Sequence, residues 1–260
     1  MKIRGNPDLD VGAVSLPGGP VGCLLLHGLT GSPPEMSLLG AYLHGQGMSV
    51  AIPLLAGHGT RPEELQRVRW QDWVLSAETA WNSLKARCEL VFVGGLSLGS
   101  LLACHMAALH PEAGGLMAYS PAVKLQNRWL GLAPVLKPFV QQWPKGEDDD
   151  LTDPLARTRT WHYASFPTGA LHELTKLQRV IRRELPGIRM PLLVVHSTGD
   201  TTIAPDAAVY LCSRIGSEER EMITLHNSGH NLLVDTEREA IFARTYGFIA
   251  AHAGGRLRKG

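Results

Sequence analysis

Apolar residues along this chain fall into two alternating textures: short continuous runs, and longer stretches in which they recur every three or four positions. The runs at 21–26, 49–53, 90–93, 116–119, 191–195 and 222–225 predict strands buried on both faces, because they do not alternate with polar positions. The periodic stretches predict helices. Residues 36–46 carry Met36, Leu39, Tyr42 and Leu43 on one side and stop at Gly47. Residues 70–86 place Trp73, Val74, Ala77, Trp81 and Leu84 on one face, residues 100–109 are apolar and followed by Pro111, and residues 240–251 form a closing helix. Gly94-Gly95 is expected to end the strand at 90–93. Strand and helix alternating through short turns predict an α/β fold: a mostly parallel central sheet with helices on both faces.

The rhythm breaks between Pro121 and Pro186, where prolines, Trp129, Trp143 and Trp161, the run Glu147-Asp148-Asp149-Asp150 and a helical stretch at 170–185 replace clear strands. The expected organisation is therefore a core of 1–120 and 186–260 with a small, mostly helical cap inserted at 121–185. The acidic run is expected to be a solvated loop.

With 260 residues the chain can bury a large core. Its apolar share of 44% and charged share of 19% are ordinary for a globular protein. A formal net charge of +1 provides no field for nucleic acid, and no basic stripe runs along any element. Residues 256–259 are basic but follow Gly254-Gly255 and read as a frayed tail. The charged first ten residues do not read as a secretory signal, and no apolar run approaches the ~20 residues of a membrane span. Cys23, Cys88, Cys104 and Cys212 are scattered without a C-x-x-C pair. That argues against a zinc site and for free thiols in a reducing cytoplasm.

The strongest chemical signal is Gly95-Leu96-Ser97-Leu98-Gly99, a G-x-S-x-G placed between a strand and a helix. A nucleophile on so tight a turn needs small residues two positions either side, hence Gly95 and Gly99. Serine needs a base, and the base an orienting acid, in the chain order Ser, Asp, His. Asp200 follows the strand at 191–195 through His196-Ser197-Thr198-Gly199; its rival Asp206 follows Pro205 and reads as a helix N-cap. His230 follows Asn227-Ser228-Gly229 after the strand at 222–225, with His226 as its rival. His44, His105 and His110 read as core or surface residues. An oxyanion hole needs two backbone N–H donors. Leu98, next to the nucleophile, is one candidate, and Leu29, in the loop His27-Gly28-Leu29-Thr30-Gly31, is the other. Their side chains are expected to line an apolar pocket with Trp129, Leu132, Leu136 and Phe139 of the cap. His27 is expected to brace the loop.

Four stretches in order, Leu24 to Pro33, Leu55-Ala56-Gly57-His58-Gly59-Thr60, Gly95 to Gly99 and Asn227 to His230, with Trp70-Gln71-Asp72-Trp73 after the second, resemble the bacterial carboxylesterase and monoacylglycerol lipase family of α/β-hydrolases. The resemblance spans nearly the whole chain. It implies the α/β-hydrolase fold with a small cap, no cofactor and no metal, an acyl-enzyme intermediate, and a small-molecule or lipid ester as substrate. Ser97, Asp200 and His230 match the family's catalytic positions, and the amides of Leu29 and Leu98 its oxyanion hole. Ser100 stands where the family usually has another glycine, and the cap matches least. Short- to medium-chain esters or monoacylglycerols are the expected substrates. Thioester, feruloyl-ester or peptide cleavage, or a non-catalytic binding protein, would share the fold.

Overall fold

A computed structural model describes residues 3–127, 129–130, 139–146 and 150–257. Its centre is a sheet of seven strands: β2 (Val14–Leu16), β3 (Val21–Leu26), β4 (Ser49–Ile52), β5 (Leu90–Leu96), β6 (Leu116–Tyr119), β10 (Leu192–Ser197) and β11 (Arg220–Leu225). Their spatial order is β11-β10-β6-β5-β3-β4-β2. Every pairing is parallel except that of β2 with β4.

Alternate residues of each strand enter opposite faces. Leu24, Leu26, Val91, Val93, Leu116 and Ala118 pack on α3 (Trp70–Lys85) and α4 (Leu98–Leu109), whose Trp73, Trp81, Leu101 and Leu102 are buried there. Val21, Cys23, Leu25, Phe92, Met117 and Tyr119 pack on α1 (Pro34–Gly45) and α7 (Arg238–His252) through Met36, Leu39, Leu43, Ile241 and Phe248. Helices cover both faces, which explains why the inner strands carry unbroken apolar runs.

β5 runs on through Gly94 and Gly95 instead of stopping at Val93, because the ladder needs only their backbone: Gly94 pairs with Leu25 and Met117, Gly95 with Leu26 and Ala118. β11 begins two residues before its apolar run. It is an edge strand whose first five positions alternate between exposed and half-buried, so Arg220 and Glu221 fit it without interrupting a core.

The segment 121–185 departs most from expectation. Among the described residues it holds short strands as well as helix. β7 (Gln142–Pro144) pairs antiparallel with β9 (Ser165–Pro167), and β8 (Trp161–Tyr163) with β1 (Ile3–Gly5). Its long helix, α5 (Thr168–Glu184), lies against α3 and α4 and sends Leu174, Leu177 and Ile181 into the main core. Expectations for Leu132 and Leu136, for Glu147, Asp148 and Asp149, and for Arg258 and Lys259 lie outside the described residues. Two short helices, α2 (Pro62–Leu65) and α6 (Ala207–Arg214), are also present among the described residues. No helix among the described residues is long and apolar enough to cross a membrane.

In parallel sheets ligands bind beyond the carboxyl ends of the strands, where the chain switches direction. Here the chain turns outward from β3 to β4 on one side and to β5 on the other. The loops after β3, β5, β10 and β11 carry every residue singled out for chemistry.

Candidate active site

Ser97 is the single residue between β5 and α4, with φ 57° and ψ −113°. Such a backbone costs a non-glycine residue of order 1–3 kcal/mol and survives only where its surroundings hold it. The Ser97 N–H donates to the Tyr119 carbonyl at 2.9 Å, and its own carbonyl accepts the Ser100 N–H at 3.1 Å. A Cβ on Gly95 would stand 2.1 Å from the Gly99 carbonyl oxygen, and one on Gly99 2.0 Å from that of Leu26, so no side chain fits at either position. Ser100 strengthens the turn. Its hydroxyl donates to the Ser97 carbonyl at 2.6 Å and accepts the Ala122 N–H at 3.3 Å, tying the turn to the loop after β6.

His230 and Asp200 meet although 30 positions apart: Nδ1 donates to Asp200 Oδ2 at 2.8 Å. The acid's other oxygen accepts the N–H groups of Thr202 (2.8 Å) and Ile203 (2.9 Å). Burial alone would push the Asp200 carboxyl up, but the imidazole and these two donors hold it below the usual range. Burial likewise pulls His230 down, but the Asp200 charge and hydrogen bond, with Asp150 and Glu35 adding, leave it above the ordinary imidazole value. With Nδ1 committed to the acid, Nε2 is the atom left for base chemistry.

The rivals stand elsewhere. Asp206 is exposed and paired with Lys124 at 2.5 Å; it occupies the N-cap position of α6 but makes no side-chain cap bond. His226 is exposed, with Nδ1 3.3 Å from Thr198 Oγ1.

The loop after β3 turns sharply, with Gly31 N–H on the Gly28 carbonyl at 3.2 Å and Thr30 at φ 68°. Beneath it, His27 Nε2 accepts the Leu55 N–H at 3.1 Å, which puts the proton on Nδ1, 3.0 Å from the Gly28 carbonyl. Burial pushes His27 down to about 4, so it braces the loop as a neutral ring. Glu35 Oε2 accepts the Gly28 N–H at 2.9 Å from the first turn of α1.

Ser97, His230 and Leu29 open on one cavity of about 320 Å³. The apolar part of its wall is Leu125, Leu130, Trp143, Phe166, Leu171 and Leu174; the polar part includes Arg4, Glu35, Lys145 and His162. The expected lining changes in two respects. The Leu98 side chain is fully buried in the core under α4. Trp129 and Phe139 are 68% and 85% exposed. Leu130, one residue on from Trp129, turns inward because successive side chains in a 3-10 turn stand ~120° apart.

Sequence reasoning missed the polar wall. Lys145 Nζ donates to Thr30 Oγ1 at 2.6 Å and sits 4.6 Å from the Phe166 ring centroid. Burial pushes Glu35 up to about 7 and Lys145 down to about 7, each partly opposed by the other's charge. Burial also holds His162 well below its usual value. Nothing in the chain marks these four residues as a set: they come from β1, α1, the β7 region and β8 and converge only in three dimensions. No group of three His, Cys, Asp or Glu among the described residues is placed to hold a metal.

The profile of Hydrolase_4, described as serine aminopeptidase S33, matches residues 22–237. The chain belongs to that family. This hydrolase is 34% identical to a thermostable monoacylglycerol lipase of Bacillus sp. (strain H-257), over 91% of its own length and 93% of the lipase. It is 26% identical to a carboxylesterase of Bacillus subtilis (strain 168), over 89% and 93%. Among solved structures it superposes on one from the metagenome-derived lipolytic enzymes LipS and LipT with a TM-score of 0.89 and 29% identity, covering 96% of this chain and 100% of that one. The monoacylglycerol lipase of Paleococcus ferrophilus shares the fold at a TM-score of 0.76 and 18% identity, covering 94% and 100%.

Proposed function

We propose that this hydrolase is a serine carboxylic-ester hydrolase that works through an acyl-enzyme on short- to medium-chain esters or monoacylglycerols. The observation that carries the proposal is the opening of a strained Ser97 and of His230, itself paired with Asp200, onto one cavity with an apolar wall. His230 Nε2 takes the Ser97 proton as the hydroxyl attacks the ester carbonyl. The N–H groups of Leu29 and Leu98 receive the tetrahedral oxyanion, each donor contributing roughly 3–4 kcal/mol. The imidazolium protonates the departing alcohol, and water releases the acid by the reverse path. Asp200 stays ionised and holds the tautomer.

The cavity supports the substrate class. About 320 Å³ lies at the small end of the ~300–1,000 Å³ usual for ligand pockets. One wall suits an acyl chain and the other, with Lys145, Glu35 and Arg4, a hydroxylated alcohol. Leu125, Leu130, Trp143 and Phe166, which line the cavity from the segment before α5, support a cap over the site. Free cysteines, three of them buried, support a reducing cytoplasm as the location.

The test is labelling with a fluorophosphonate and peptide mapping, beside hydrolysis of p-nitrophenyl esters from two to sixteen carbons. An adduct on Ser97 with a rate optimum at short or medium chains is expected. An adduct without ester turnover would redirect the assignment to thioester, feruloyl or peptide substrates, and no adduct would remove Ser97 as nucleophile.

A further inference from the structure

The acidic run was expected to be a solvated loop, but its last residue is bound. Asp150 Oδ1 accepts the backbone N–H of His230 at 2.9 Å. Its Oδ2 accepts both the backbone N–H (2.8 Å) and the hydroxyl (3.0 Å) of Thr201, the neighbour of Asp200. One carboxylate thus spans the loop after β10 and the loop after β11. The approach leaves no room for a side chain at 229: a Cβ on Gly229 would lie 2.2 Å from the Asp150 carbonyl oxygen.

The next residues fasten the strap. Thr152 N–H lies 3.0 Å from Asp235 Oδ1, and its hydroxyl donates to the Asn227 carbonyl at 2.6 Å. Asp153 N–H adds 2.6 Å to the same Asp235 oxygen, while Asp235 Oδ2 takes the Gly229 N–H at 2.7 Å. On the other side, Ser120 Oγ donates to the His230 carbonyl at 2.9 Å. His230 is therefore gripped at both its N–H and its C=O.

We infer that Asp150 is a positioning residue for the His230–Asp200 pair: its carboxylate fixes the backbone of the base relative to the neighbour of the acid and lends a second negative charge to the imidazolium. This rests on His230 being the general base proposed above. The geometry carries it, since a carboxylate that only capped a surface loop would not bond the two catalytic loops at once. The charged and titratable groups around the imidazole are Asp200 after β10, Asp150 in the strap and Glu35 on α1, with Lys145, His162 and Arg4 across the cavity. Of the three carboxyl groups, Asp200 is hydrogen-bonded to the ring and Asp150 to the His230 backbone, while Glu35 is committed to Gly28.

Asp150→Asn removes the charge and replaces one acceptor with a donor. With a p-nitrophenyl ester it is expected to lower kcat by about 10- to 100-fold with KM changed less than about twofold, the scale of a small misplacement of a catalytic group. The acid limb of the kcat/KM–pH profile is expected to move to lower pH, and Asp150→Glu to restore most of that shift. Thr152→Val loosens the same strap without touching the charge; it is expected to lower Tm and leave the limb in place. An unmoved limb in Asp150→Asn, or an equal shift in Thr152→Val, would overturn the inference. Two further measurements separate this from the parent proposal. Ser97→Ala retaining turnover would remove the hydrolase mechanism. Proton NMR titration of His230 in the Ser97→Ala protein, its signal assigned by loss in His230→Ala, reads the Asp150 coupling without catalysis. A titration midpoint unchanged by Asp150→Asn would end the inference even with the mechanism intact.

Discussion

At the scale of single residues, activity and stability respond to pH with opposite signs. In the mechanism proposed above, His230 must be neutral to accept the Ser97 proton, yet its pairing with Asp200 raises its folded pKa above the ordinary value. A raised histidine contributes stability that is complete below its unfolded pKa of ~6.5 and is lost as pH rises through the folded value. Turnover therefore appears over the same window in which the ion pair gives up its stability. The acid limb of kcat/KM is expected above the ordinary imidazole midpoint, and a pH–rate profile checks it; a limb at or below that midpoint would contradict the pairing. Ser97→Ala is expected to lower kcat by about 10⁴- to 10⁶-fold and Asp200→Asn by about 10⁴-fold, both read as initial rates against wild type. Asp235, fully buried, is a different case. It accepts from the N–H groups of Gly229, Thr152, Asp153 and Thr236, and with them stays below the usual carboxyl range despite burial. Asp235→Ala leaves those donors without their acceptor, at an expected cost of about 3–5 kcal/mol and a fall in Tm on the order of 10 °C. The sign follows from the lowered pKa: the contribution is present above the unfolded value of ~3.9 and disappears as pH falls through the folded one. Thermal melts at pH 7 and pH 3 should show the gap between wild type and variant closing in acid.

At the scale of elements, legibility follows burial. The inner strands were visible as apolar runs because both faces are covered, and α3 because Trp73, Ala77, Trp81 and Leu84 mark one buried side. β1, β7, β8 and β9 were not, since three residues are too few to establish an alternation. α5 was recognised as a helix, and its packing on α3 and α4 was not. Its stripe of Leu171, Leu174, Leu177 and Ile181 shows which side is buried and says nothing about what buries it. Because α5 lies on α3 and α4, Leu177→Ala is expected to destabilise the whole domain by about 2–5 kcal/mol in a single cooperative denaturant transition, with kcat near wild type. A separate early transition with the main one unchanged would mean that α5 unfolds as part of an independent cap.

At the scale of the whole molecule, the site divides along the line between local and distant contacts. Ser97, Asp200, His230 and the loop at 27–31 could be proposed from the sequence because each sits in a short motif at a strand end. The polar wall was not, because Lys145 and Glu35 lie far apart in the chain and share one cavity only in the fold. Such a wall is expected to act on selectivity more than on chemistry. Lys145 reaches the cavity beside Thr30 while its charge lies close to Glu35, so it is placed to offer a donor to an alcohol hydroxyl and contributes nothing to a plain alkyl group. Lys145→Met keeps an unbranched side chain of similar length and removes the donor. The rate on any one ester will also register a disturbed loop at Thr30; the ratio of two esters with the same acyl chain cancels that effect. For a monoacylglycerol against the ethyl ester of the same acid, losing one hydrogen bond of about 1–1.5 kcal/mol should lower the kcat/KM ratio by up to about tenfold. A ratio that does not fall would place the alcohol elsewhere in the cavity and leave Lys145 with its tie to Thr30 as its whole role.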